Sequence, residues 1–132
     1  ALLALDEPRF LHQVVSPLKG LRASDLPNLE GSLAEDERWM DQPEWRCHFH
    51  VPVDLEQFRG LGTTSSHADE LVCGLLNEPK TWSQEELHLE IETYTWSVIP
   101  GAPAEGGGLV DAIEREYAHV LGLLRGAGWS SE

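Results

Sequence analysis

Leu87-His88-Leu89-Glu90-Ile91-Glu92-Thr93-Tyr94-Thr95-Trp96 alternates with the period of a strand. Successive strand side chains point to opposite faces, so residues two apart share one. Leu89, Ile91 and Thr93 form a face suited to burial, which leaves His88, Glu90 and Glu92 aimed at a common space. Arg46-Cys47-His48-Phe49-His50-Val51-Pro52-Val53 repeats the pattern: His48 and His50 share one face, and Cys47, Phe49 and Val51 share the other. Imidazoles and carboxylates gathered in this way are the donor set of a metal site or an acid–base pair. The plainer reading is that both are solvated faces of half-exposed strands.

Working outward, strands alternate with helices. Leu87–Trp96 is preceded by an amphipathic helix with apolar positions at Ala68, Leu71, Val72, Leu75 and Leu76. Ser66 and Asp69 resemble a capping box at its start, and Asn77-Glu78-Pro79 stops it. A final helix from about Leu109 to Leu124 carries the stripe Leu109, Ile113, Tyr117, Val120, Leu121 and Leu124. Upstream, Phe10–Ser16 reads as a strand. Pro17 and Gly20 mark a turn, and Leu21–Ser24 reads as a short partner. Asp25-Leu26-Pro27 reads as a helix start, with Asp25 as N-cap and Pro27 in the first turn. Trp45–Val53 reads as a strand, and 54–64 as a loop punctuated by Gly60 and Gly62. The order strand, helix, strand, helix favours an α/β fold with parallel strands and crossover helices. Sites in such folds lie at the carboxyl ends of the strands, where His48, His50, Glu90 and Glu92 lead.

The bulk properties narrow the function classes. At 132 residues and 41% hydrophobic, the chain has single-domain length and enough apolar residues for a core. Nine Lys and Arg against 23 Asp and Glu give a formal charge of −14. That excess argues against nucleic-acid backbones and anionic membrane surfaces as partners. Cys47 and Cys73 form no C-x-x-C motif and read as buried free thiols. No apolar run is long enough to span a bilayer. Ala1–Leu5 lacks a basic flank and gives way at once to Asp6-Glu7-Pro8, so it does not read as a signal peptide; the cytoplasm is the expected compartment. The abrupt apolar start at Ala1 suggests a piece of a longer reading frame.

Three blocks together resemble a known family. His12-Gln13-Val14-Val15, His48-Phe49-His50-Val51-Pro52 and His88-Leu89-Glu90-Ile91-Glu92-Thr93-Tyr94-Thr95-Trp96 resemble the C-terminal part of the EboE-type metabolite-traffic proteins. These belong to the xylose-isomerase-like superfamily of sugar phosphate isomerases and epimerases. The resemblance implies that residues 1–132 are one partial domain, the C-terminal segment of a (β/α)8 TIM barrel. It also implies a small polar metabolite as ligand. The implied cofactor is a divalent metal (manganese, magnesium or zinc) at the barrel mouth, held by carboxylates and histidine.

Carried over residue by residue, Glu92 matches the final-strand glutamate, with Glu90 the fallback. His50, ahead of His48, is the matching histidine. The expected metal ligands are therefore His48, His50 and Glu92, and the expected catalytic carboxylates are Glu90 and Glu92. A hard ion polarises substrate oxygens while a carboxylate removes a proton next to a carbonyl. Which glutamate ligates and which acts as base stays open. A non-catalytic metabolite-binding or trafficking protein that keeps the barrel and its pocket is the alternative.

The remaining candidates read as structural. His12 reads as a satisfied structural histidine, and His67 and His119 as surface residues. Tyr94 and Trp96 suit either a pocket wall or core packing. Ser65 and Ser66 beside His67 read as helix capping, since no nucleophile elbow surrounds them. Gly106-Gly107-Gly108 reads as a linker because the P-loop lysine is missing.

Overall fold

The computed structural model describes residues 2–18, 20–78, 88–92, 96–99 and 107–129. They form a mixed α/β structure with two small antiparallel sheets and three α-helices. The chain divides into two compact units, residues 1–50 and 51–132. Among the described residues no helix is long and apolar enough to cross a membrane.

The first unit is built on β1 (Val14–Val15), flanked by β2 (Arg22–Ala23) and β3 (Arg46–Cys47) in the order β2-β1-β3. Both pairings are antiparallel, with Val14 opposite Ala23 on one side and Cys47 on the other. The β1–β2 pair is the short return expected after the turn at Pro17 and Gly20, and β3 joins β1 antiparallel on the other side. The link from β1 to β2 is a tight turn with Gly20 at φ 97°, and a turn that short joins only antiparallel neighbours.

Asp25 starts the next segment as expected. Its side chain accepts the Leu26 N–H, and a 3-10 turn over Leu26–Asn28 with Pro27 in it runs into α1 (Leu29–Glu35). The core gathers Val14, Leu21, Ala23, Leu26, Leu29 and Trp39. Trp45 closes over it, meeting the Trp39 ring edge-on at 6.0 Å and donating its indole N–H to the Trp39 carbonyl. The edge-on geometry suits the ring quadrupoles.

The second unit opens with a hairpin where the sequence predicts a loop: β4 (Gln57–Phe58) pairs with β5 (Leu61–Gly62). Arg59 and Gly60 turn it with φ of 51° and 79°, the left-handed pair of a type I′ turn. Then α2 (Ser65–Asn77) stops at the expected Asn77. Its start differs from expectation. Thr64 is the N-cap without a side-chain bond, and the Thr63 hydroxyl accepts the Ser65 N–H, so the Ser66–Asp69 capping box is not used. Leu76 is buried, whereas Leu71 is exposed.

The last helix, α3 (Gly107–Gly126), extends beyond the expected span at each end. Its buried line runs through Ala112 and Glu116, with Leu109 and Ile113 packed beside the Trp96–Ile99–Ala112 cluster. Tyr117, expected on the buried stripe, is 51% exposed.

Two predicted strands shrink. Trp45–Val53 keeps ladder pairing only at Arg46–Cys47, with one further bond from the His48 N–H to the Gln13 carbonyl at 2.8 Å. His88–Glu92 carries no strand pairing, and Trp96–Val98 forms a turn; Leu87 and residues 93–95 lie outside the described residues. Alternation prepares a segment for a sheet face, but a ladder also needs a neighbouring edge.

Glu116 ties this unit together. It is 2% exposed and accepts the Val53 N–H on Oε2 and the Trp96 indole N–H on Oε1, each at 3.0 Å. Removing it strands two buried donors. Glu116→Ala is therefore expected to cost about 2–4 kcal/mol of unfolding free energy, and Glu116→Gln, which keeps one acceptor, less than that. Urea melts of the two variants check the order; a Glu116→Ala protein as stable as the parent would refute the assignment. The hairpin supplies a gain. Asn at the left-handed Arg59 position is expected to raise stability by up to about 1 kcal/mol. The lost packing of the Arg59 guanidinium, 6.0 Å above the Phe58 ring, offsets part of this. A lower urea midpoint for Arg59→Asn would contradict the turn assignment.

Candidate imidazole site

The histidines of the first unit come together where β3 runs out. His48 and His50 share a face, as period two requires, and their rings stand 5.2 Å apart at 23°. The Phe10 ring continues the file, 6.3 Å from His50 at 22°, and the Arg9 guanidinium lies 5.7 Å over Phe10. His48 is exposed and His50 half-buried, so both imidazoles border solvent.

Behind them sits His12, 3% exposed. Its ring tilts against Phe49 at 4.6 Å, and its Nδ1 lies 3.3 Å from the His48 carbonyl oxygen. Its backbone N–H donates to Asp25 Oδ1 at 2.8 Å, and the same oxygen accepts the Leu26 N–H at 2.9 Å. Asp25 thus caps a helical segment and pins His12 with one atom.

The far side of the His12 ring is less regular. Nε2 lies 3.2 Å from Glu7 Oε1, yet this buried nitrogen makes no hydrogen bond. The distance satisfies an ion pair, and the direction is wrong for an N–H bond. Glu7 instead accepts the Arg9 and Phe10 N–H groups, which closes the turn leading into the cluster. The expectation of a satisfied structural histidine therefore holds for Nδ1 and fails for Nε2. No sequence pattern marks that difference.

Cys47 stands beside this group on β3, half-buried and free; Cys73 on α2 is also free and half-buried. Burial, with the Asp25 charge adding to it, pushes the Cys47 thiol above its ordinary range. Both influences disfavour the thiolate.

Glu90 and Glu92 are exposed and belong to the second unit, whereas His48 and His50 belong to the first. Among the described residues no group of three or more His, Cys, Asp or Glu side chains is arranged to hold a metal ion. The structure joins His48 to His50 and adds His12 behind them.

The other candidates resolve individually. Trp96 is core, not pocket wall, while Tyr94 lies outside the described residues. His67 is exposed on α2. His119 is not the free surface residue expected: its Nε2 lies 2.8 Å from Asp69 Oδ1, linking α3 to α2. Ser65 is buried and donates its hydroxyl to the Val53 carbonyl, a structural bond. Gly106 lies outside the described residues, and Gly107 and Gly108 open α3.

No protein-family model matches the chain, and no curated protein or solved structure matches it either.

The Cys47 thiol yields a direct test. Its alkylation by iodoacetamide, followed against pH by peptide mass spectrometry, is expected to show a midpoint above the ordinary thiol value. A midpoint below that value would contradict the burial seen here.

Proposed function

We propose that this chain is the C-terminal portion of a xylose-isomerase-like TIM barrel of the EboE metabolite-traffic type. In this reading it handles a small polar metabolite at a divalent-metal site. The three sequence blocks support the family. The observation that carries the site is the His48–His50 pair, two near-parallel imidazoles 5.2 Å apart at the solvent border.

Neutral imidazoles are donors of the kind a borderline metal takes. Magnesium prefers oxygen donors, so this pair favours zinc or manganese. The resemblance alone assigns a ligand role to Glu92 and a base role to Glu90. The bound ion would polarise carbonyl and hydroxyl oxygens of the metabolite. His48 and His50 would hold it. A hydrogen bond from His12 to the His48 carbonyl supports the ligand pair from behind.

The test is metal content of the complete protein by inductively coupled plasma mass spectrometry, beside Glu92→Gln and His48→Ala. Near-stoichiometric zinc or manganese in the parent, lost in both variants, is the expected result. Metal that persists in Glu92→Gln but leaves His48→Ala would remove Glu92 from the sphere. No metal in the parent after supplementation would overturn the metal site and favour a metal-free binding or trafficking role.

A further inference from the structure

We propose that the outer face of α3 is a self-association surface, on which a second copy of this chain lays its own α3 antiparallel. Val110, Glu114, Tyr117, Leu121 and Leu124 follow one another at alternating steps of four and three along the helix. That spacing keeps residues on one face and forms the seam of a two-helix pair. Val110 is 55% exposed, Tyr117 51% and Leu121 39%, while Leu124 is half-buried. Trp129, 46% exposed, extends the row past the helix end. Its N–H bonds the Leu124 carbonyl and the Gly128 N–H bonds the Arg125 carbonyl, the paired bonds of a Schellman close.

This row is separate from the packed sides of α3. Ala112 and Glu116 turn toward Trp96, and His119 reaches Asp69 on α2. An apolar row left in water along most of a helix marks a contact surface.

The charges choose the occupant. Glu114 stands within the row and Arg125 on its edge; their spacing is about three helical turns, so they lie on the same side. Both are exposed, and among the described residues neither meets an opposite charge within ion-pair distance. Along the helix axis Glu114 and Arg125 flank one midpoint, between His119 and Val120, and Val110 and Trp129 flank the same one. A two-fold axis there reverses the helix and keeps each edge on its own side. It sets Glu114 of each copy opposite Arg125 of the other, Val110 opposite Trp129, and Tyr117 beside Leu121. A parallel pair would instead face like charges with like. A basic partner would match Glu114 and repel Arg125. Of the three, the antiparallel copy alone satisfies both charges. The formal charge of −14 opposes the pairing at long range, and salt screens that repulsion.

The test is sedimentation velocity of the complete protein at about 0.15 M salt, beside Glu114→Arg, Arg125→Glu and an equal mixture of the two. The parent is expected to dimerise at micromolar concentration. Each single variant faces like charges across the axis and is expected to lose about tenfold or more in dimer affinity. In the mixture every contact is again Arg against Glu, so dimer returns. A parent that stays monomeric at about 100 µM would overturn the pairing. So would single variants that dimerise like the parent, or a mixture that recovers nothing. Should a charge variant lose helicity by circular dichroism, Tyr117→Lys decides alone, and parent-like dimerisation in it would sink the proposal.

Discussion

A carboxylate withdrawn from water must be met by donors, and Glu116 is met by two from distant parts of its unit. Val53 supplies a backbone N–H from the start of that unit, and Trp96 supplies its indole from the segment before α3. Trp96 then packs with Ile99 and Ala112, so one side chain brings the opening loop, the central turn and the last helix to one place. Charge-assisted bonds of this kind contribute about 1.5–3 kcal/mol each, whereas burying the carboxylate costs several. The two nearly cancel. Against an apolar side chain of the same shape Glu116 therefore gains little, whereas truncating it strands both donors. Partly exposed pairs around it, Arg115 with Asp54 and His119 with Asp69, follow the same course with less at stake.

The first unit meets the same constraint differently. Among its described residues the buried polar one is His12, and its partners are a carbonyl, a backbone-capping carboxylate and a carboxylate out of line. The apolar core around Val14 and Trp39 is ordinary in kind: a short sheet covered by a short helix and closed by tryptophans. What distinguishes the unit is the seam between that core and the histidine file. There the His48 N–H continues the register onto the Gln13 carbonyl, and the His12 ring meets the His48 carbonyl.

Local signals in the sequence are legible where the physics is local. Asp25 and Pro27 start a helical segment, Asn77 ends α2, and Pro17 and Gly20 turn the chain between β1 and β2, because each depends on a few neighbouring bonds. Period two also places His48 beside His50 correctly. Alternation in His88–Glu92 does not become a strand, since pairing depends on an edge elsewhere that a single segment cannot specify. Parallel order is the expectation for Trp45–Val53 with Leu87–Trp96, part of which lies outside the described residues, whereas the sheet around β1 is antiparallel on both sides. Glu116 is hidden in the sequence because a glutamate on an amphipathic helix usually faces water. Only the indole and amide opposite it give the reason for its burial.

His48 and His50 follow the last paired residue of β3, and Glu90 and Glu92 lie in a stretch without a ladder. Side chains just beyond a sheet are no longer packed on both sides. Such groups can turn toward a ligand, but they need an outside support to hold a single geometry. For the imidazoles that support consists of the His12 ring, the Gln13 carbonyl and the Asp25 cap behind them.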